Sequence, residues 1–238
     1  LKKLGYQESS GAYTHPTRTV IFLGDFIDRG LAQQKVISIV RAMCSSGSAQ
    51  AVMGNHEFNA IAYATPDEDG YLRKHSEKNR KQHLAFLEAY QGNSALYAEV
   101  ISWFKQLPLW LDLNGLRVVH ACWDASHINR IVTEYSRPYL TNEMMRRAAN
   151  PECWEYDGLE TLLKGREIAL PYDSFFHDKD GVKRHAIRVK WWESAPTYSA
   201  AYIGPPEAET HIPDDPITGD HLIEFSETEK PVFIGHYW

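Results

Sequence analysis

What the chain has little of narrows it first. Three cysteines, Cys44, Cys122 and Cys153, stand among 238 residues, with no CxxC pair and no even framework. That excludes a sequence-readable thiolate metal site and suits a reducing, cytoplasmic setting, although one pair can still bridge. No apolar run approaches a membrane span, and the mean hydropathy is −0.44, so no membrane partner is expected. Basic charge is not in excess: 25 Lys and Arg against 31 Asp and Glu give a net charge of −6. The electrostatic footprint of a duplex nucleic-acid binder is therefore absent. An anionic substrate is not excluded, because a metal ion can reverse the local field. No repeat or low-complexity tract is found, and no signal peptide is visible. The first residue is Leu, and Leu1–Tyr6 reads as the end of a helix stopped by Gly5, so the expectation is a start inside a longer protein. The sequence likewise stops just after His236, before any closing element.

What is there is enough for a full core. With 43% hydrophobic and 24% charged residues, one globular domain over 1–238 carrying an insertion is the simplest organisation. Thr19-Val20-Ile21-Phe22-Leu23 reads as a buried strand, and Gly24-Asp25-Phe26-Ile27-Asp28-Arg29-Gly30 follows at once. In an open α/β sheet, ligands sit beyond the carboxyl ends of strands. Gly54-Asn55-His56-Glu57, His120 and Gly235-His236 each follow an apolar stretch in the same way.

The rest of the pattern supports α/β. Gln33 to Cys44 has helical spacing, and Gln50–Met53 is a short second strand. Together with Val20–Leu23 they make a βαβ unit with parallel strands. Another helix begins near Phe58, a loop covers Thr65–Gly70, and helices cover Ser76–Tyr90 and Ala95–Gln106. Leu109–Leu113 and Leu116–His120 flank Asn114-Gly115, a favoured two-residue hairpin turn. From Asp124 to Glu229 the signal weakens: helices at Asn142–Ala149 and Leu159–Leu163, a strand at His185–Trp192 and a loop over Gly204–Asp220 are the readings. So long a connection reads as a cap beside a pocket. Pro231–Ile234 is the last strand and brings His236 to the same edge.

Asp25, Asn55, His120 and His236 form an oxygen and nitrogen donor set suited to Mn²⁺ first, with Fe or Zn²⁺ as alternatives, and poorly suited to Ca²⁺. Asp25 is the candidate to bridge two ions, which in two-metal sites stand about 3.5–4 Å apart. His56 is placed as a general acid, with Asp28 holding its ring. Arg29 offers a planar fork for phosphate oxygens.

GDFIDRG at 24–30 and GNHE at 54–57, with His120 in VVHAC and His236 in IGHYW, resemble the calcineurin-like metallophosphoesterases, nearest the phosphoprotein phosphatase branch. The long VMGNHEFNAIAY run is similar to bacterial-type serine/threonine phosphatases and bis(5′-nucleosyl)-tetraphosphatases. The resemblance covers the frame but not 124–229. It implies a four-layer αββα sandwich of two mixed sheets and two divalent transition-metal ions. It implies metal ligation by Asp25, Asn55, His120 and His236, phosphate binding by Arg29, and an Asp28–His56 acid pair. The implied reaction is attack of metal-activated hydroxide on a phosphoester or phosphoanhydride, in a phosphorylated protein or a dinucleoside polyphosphate. The family's opening GDxHG motif has no counterpart before Asp25, and is expected upstream. Without it only one metal site survives, and the alternative is a non-catalytic binding module. The family's glycine pair after the third motif is replaced by Ala121-Cys122, which would bear on substrate access.

Other residues read more plainly. Glu57 is a first-turn acid favoured by the helix dipole. His75 and His83 flank a basic helix and read as solvated, and Asp67, Glu68 and Asp69 as a solvated loop. Trp123, Trp191 and Trp192 are either aromatic walls for a nucleotide or core. Arg166, Arg184 and Arg188 are candidates for a second phosphate-binding arginine.

Overall fold

The computed structural model describes residues 1–68, 70–177, 181–218 and 230–237. Val20–Phe22 pairs in parallel with Ala49–Ala51, with Ile21 opposite Gln50. The Gln33–Ser45 helix crosses between them and buries Ile37, Val40 and Met43. Those positions repeat at three residues, which is why the segment is helical and one-sided. A second sheet orders Val232–Phe233, Arg117–Val119 and Trp110–Asp112 side by side. The first pair is parallel, and the second is the expected antiparallel hairpin, with Leu111 opposite Val118. The result is a mixed α/β fold.

Helices occupy Asn55–Ala64, Glu77–Ala89 and Ser94–Phe104. Ser76 and Asn93 cap the last two through their side-chain oxygens, at 3.3 Å from the Asn79 N–H nitrogen and 3.0 Å from that of Leu96. Phe86, Phe104 and Leu109 have no exposed surface, and each such burial is worth about 1.5–3 kcal/mol. They belong to one large cluster that also takes in Phe26, Ile27, Ile37 and Met53, next to the functional turns.

The weak middle of the sequence resolves into two parts. Helices at Ala125–Tyr135, Asn142–Ala148 and Trp154–Lys164 place Ile128, Ile131, Met144, Leu159 and Leu162 in the main cluster. The first of these was not expected from the sequence, although Ile128, Ile131, Val132 and Tyr135 stand at helical spacing in it. Asp124 caps it, accepting the Ser126 N–H at 2.9 Å and the His127 N–H at 3.2 Å. Beyond it, Leu170, Phe176, Ile187, Val189, Tyr198, Tyr202 and Ile212 form a second, smaller cluster. The strand expected at His185–Trp192 is only Ala186–Arg188, paired antiparallel with Glu167–Ala169, because a turn closes from Glu193 back to Lys190 at 3.1 Å. The Gly204–Asp220 loop contains a short helix, Pro206–Glu209, and its last two residues lie outside the described set. Thr65–Gly70 is not plain loop: Pro66–Asp67 pairs with Gly70–Tyr71, with Asp67 and Glu68 exposed and Asp69 outside the described residues. Leu1–Tyr6 carries a turn of 3₁₀ helix at Lys2–Leu4, stopped by Gly5 at φ 85°. All three cysteines are free, and no helix among the described residues is long and apolar enough to cross a membrane.

Candidate metal centre

The two parallel strand pairs bring four turns together. Gly24-Asp25 and Gly54-Asn55 leave neighbouring strands on the same side, since Val20–Phe22 and Ala49–Ala51 run parallel. His120 and Gly235-His236 do the same in the other sheet, tied by the Gly235 N–H to the His120 carbonyl at 2.9 Å. The sheets are joined at this point: His120 Nδ1–H donates to the Leu23 carbonyl. The glycines permit the approach. A Cβ at Gly24 would stand 2.6 Å from Gly54 Cα, and one at Gly54 would stand 2.5 Å from Asp25 Oδ1. Asp25, Asp28 and His236 hold left-handed backbone, at φ 57°, 67° and 63°. Such residues cost about 1–3 kcal/mol each and gather at functional sites.

Four donor atoms meet in one volume. Asn55 Oδ1 is 3.1 Å from His120 Nε2 and 3.0 Å from His236 Nδ1. The two ring nitrogens are 3.2 Å apart, and His120 Nε2 is 3.4 Å from Asp25 Oδ1. With Nδ1–H committed to Leu23, His120 presents a lone pair inward, facing an amide oxygen and a carboxylate oxygen. Electron-rich atoms packed this closely repel unless a cation or proton lies among them. The spacing itself fits a cation: donors at about 2.1 Å from a metal stand about 3.0 Å apart on an octahedral edge and about 3.4 Å on a tetrahedral one. Asp25, His120 and His236 are the one His, Cys, Asp or Glu group of this kind found among the described residues. Burial, then the nearby charges of Arg188 and His120, push the His236 ring down to about 3, leaving it in the form that ligates metals. Burial pushes the Asp25 carboxyl up, but hydrogen bonding and attraction from His120 and His56 outweigh it and lower it to about 2.

Beside this cluster, His56 Nδ1–H donates to Asp28 Oδ2 at 2.8 Å. Burial opposes charge on both partners. The carboxylates Asp28 and Asp25 nevertheless raise His56, and hydrogen bonds from His56 and His83 lower Asp28. Asp28 is held in turn by Gln33, whose Oε1 accepts the Asp28 N–H at 2.9 Å. The Gln33 amide donates to the carbonyls of Arg29 at 3.0 Å and Gly30 at 2.9 Å. This buried glutamine pins the whole turn, and its only signal in the sequence is an amide at the start of a helix just past DRG. Arg29 stays exposed at the rim.

Glu57 is in the first turn of its helix, as expected, but it does more than meet the dipole. It is fully buried, and its carboxyl accepts three backbone N–H groups: Gly54 at 2.9 Å, Asp25 at 2.8 Å and Phe26 at 2.7 Å. Burial and the Asp25 charge raise its carboxyl, and the Phe26 and Asp25 N–H groups oppose them. Glu57 therefore laces the GDF turn to the GNHE turn. Glu57→Ala is expected to cost roughly 3 kcal/mol or more, since it orphans buried donors, read as a lower urea midpoint with an unchanged m-value.

His83 is also not solvated. It is buried on the face of its helix that carries Phe86, with Nδ1 2.8 Å from Asp28 Oδ1. His83, Phe86 and Tyr90, all buried, stand at helical spacing, which marks the inward face but not the partner on it. His75 is exposed but stacks between Tyr63 and Tyr71, with ring centroids at 3.8 and 4.0 Å. Trp123 and Trp191 are core, and Trp191 Nε1–H donates to the Ala121 carbonyl at 3.1 Å. Trp192 is 42% exposed and packs on Tyr237, the neighbour of His236. Ala121 and Cys122 are completely buried, so they offer a substrate no surface. Of the three candidate arginines, Arg166 lies 3.5 Å from Asp124, and Arg184 is on the exposed Lys183–Arg184 strand. Arg188 is the one whose charge reaches His236.

A family model described as calcineurin-like phosphoesterase matches residues 11–234. Among curated proteins, the chain is 30% identical over 122 residues to a bis(5′-nucleosyl)-tetraphosphatase PrpE [asymmetrical] of Oceanobacillus iheyensis, covering 51% of this chain and 48% of that protein. It is 42% identical over 57 residues to a protein of the same name from Halalkalibacterium halodurans, covering 24% of this chain and 23% of that one. It is 30% identical over 100 residues to a symmetrical bis(5′-nucleosyl)-tetraphosphatase of Ralstonia nicotianae, covering 42% of this chain and 31% of that protein. The matched stretch spans about half the length, or less, of these relatives. With its family match running across both sheets and the first three of the four turns, and ending just before Gly235-His236, the chain belongs to the calcineurin-like phosphoesterase family.

Proposed function

We propose that this chain forms the frame of a metal-dependent hydrolase of phosphoanhydrides and phosphoesters, with a nucleoside polyphosphate as the preferred substrate. The convergence of four inward-facing donors from Asp25, Asn55, His120 and His236 carries the reading. These residues would hold divalent metal, with Mn²⁺ the first choice. When bound, the ions supply Lewis acidity toward phosphate and an activated water. Arg29, exposed at the rim, binds phosphate oxygens in a planar fork. Arg188 adds positive charge on the His236 side. His56 gives a proton to the leaving oxygen, and Asp28 holds its ring in the donating orientation. The αββα sandwich belongs to the same reading, with both parallel strand pairs aiming their carboxyl ends at the donors. So does a single domain whose cap is built around the second cluster, from Glu167 onward. The free cysteines support a cytoplasmic setting.

The names of the relatives favour nucleotides over phosphoproteins. The test is turnover by the full protein, loaded with Mn²⁺, of diadenosine tetraphosphate, a phosphoserine peptide and p-nitrophenyl phosphate. A kcat/KM for the dinucleotide at least about tenfold above the peptide is expected, about 1.4 kcal/mol of discrimination. Peptide preference would reverse the substrate choice. No turnover of any of them, with metal bound or absent, would leave a binding module.

A further inference from the structure

Asp28 serves two imidazoles. Its Oδ2 lies 2.8 Å from His56 Nδ1 and its Oδ1 lies 2.8 Å from His83 Nδ1. The carboxylate and the His83 ring are each only 5% exposed. Resting on the phosphohydrolase reading above, we propose that His83 is a positioning residue. Its Nδ1–H fixes the Asp28 carboxylate so that the other oxygen stays on His56, which keeps the His56 ring aimed at the leaving group.

The torsion about the last bond of an aspartate is broad and roughly two-fold, so a carboxylate held at one oxygen can swing. The Asp28 backbone is already fixed, by its left-handed φ of 67° and by Gln33 at 2.9 Å. What remains free is the carboxylate rotation, and His83 removes it. The His83 ring cannot follow a moving partner, because Tyr63 and Phe86 flank it with ring centroids at 5.2 and 5.0 Å. A role in packing alone does not account for a histidine here. His83 Nε2 is buried with no partner among the described residues. An apolar ring would fill the same aromatic niche without that cost. The single hydrogen bond to Asp28 is what the imidazole adds.

The test compares three substitutions that differ in where a donor stands. His83→Asn keeps an N–H near the position of Nδ1, His83→Gln moves it one bond further, and His83→Phe removes it while keeping the ring. With phenyl phosphate and saturating Mn²⁺, His83→Phe and His83→Gln are expected to lose roughly 10–100-fold in kcat, the size of one hydrogen bond to a charged group. KM and bound metal stay unchanged, and His83→Asn stays within about threefold of wild type. The loss should vanish in an Asp28→Asn background, where there is no carboxylate to fix. Equal losses in all three variants, a loss that tracks metal content, or full additivity with Asp28→Asn would overturn the proposal. Ring ¹⁵N spectra give a readout that needs no turnover. The His56 Nδ1-protonated tautomer should be locked in wild type and His83→Asn and averaged in His83→Gln and His83→Phe. If wild type hydrolyses nothing, the phosphohydrolase reading fails, while the tautomer signal still decides whether His83 fixes Asp28. An unchanged His56 signal in His83→Gln or His83→Phe would sink the positioning role even in an active enzyme.

Discussion

Asp25→Asn is expected to reduce turnover to background and to weaken metal binding beyond the roughly 10–100-fold that follows loss of an outer-shell partner. Asp25 brings the one carboxylate to the cluster formed with Asn55, His120 and His236. Removing its charge leaves an amide and two imidazoles as neutral donors. The same change should not harm the metal-free fold. Asn tolerates left-handed backbone well, and Asp25 sits there at φ 57°. The Asp25 charge also bears on buried Glu57, whose carboxyl it helps raise, so neutralising it relieves crowding. Relief at Glu57 is set against the lost attraction from His120 and His56 that holds the Asp25 carboxyl low, so the expected pair of results is collapse of metal affinity by calorimetric titration and a urea midpoint little changed without metal. A variant that binds Mn²⁺ like wild type would remove Asp25 from the ligand set. A variant that unfolds without metal would show that the carboxylate holds the turn rather than the ion.

The frame was legible because its strands are short, apolar and followed at once by breakers. Val20–Leu23 and Gln50–Met53 around a helix of clear period predict a parallel unit, and the pairing of Val20–Phe22 with Ala49–Ala51 matches it. Asn114-Gly115 predicts the hairpin, and Leu113 N–H duly meets the Leu116 carbonyl at 2.9 Å. The convergence of Asp25, Asn55, His120 and His236 was legible for the same reason: each ends a strand, and parallel strands end together. The supports beneath the cluster were not. Gln33, Glu57 and His83 are polar residues on helices, and from sequence alone a polar helical residue reads as solvated. Gln33 folds back on the turn just before its own helix, whereas Glu57 and His83 are buried because a turn from elsewhere in the chain offers backbone groups or a carboxylate. Nothing local records that partner, which is 31 residues away for the bond from Phe26 to Glu57 and 55 for His83 and Asp28. The segment from Glu167 onward failed for a different reason. Its strands are no shorter than those of the frame, but only Phe176 and Ile187 are buried in them, so no apolar run announces them.

His56→Asn is expected to cut kcat by the roughly 10²–10⁴-fold of lost general acid help, while bound metal stays at the wild-type level. The geometry separates the two effects. Toward the donor cluster His56 offers its backbone N–H, 3.3 Å from Asp25 Oδ1, and that bond survives the substitution. Its side chain turns instead to Asp28 at 2.8 Å. Asn retains the bond to Asp28 through its amide, so the turn keeps its shape, but an amide has no proton to give. The size of the loss should then depend on the leaving group. p-Nitrophenolate departs without a proton, so His56→Asn should be mild with p-nitrophenyl phosphate. Phenolate or an alkoxide needs one, so the loss should approach the upper end of the range with phenyl or alkyl phosphates. A loss of equal size across such a series would mean that His56 acts on binding or on the nucleophile rather than on the departing oxygen. Loss of metal in His56→Asn would place its ring among the ligands, and the division of labour between His56 and the Asp25 cluster would have to be redrawn.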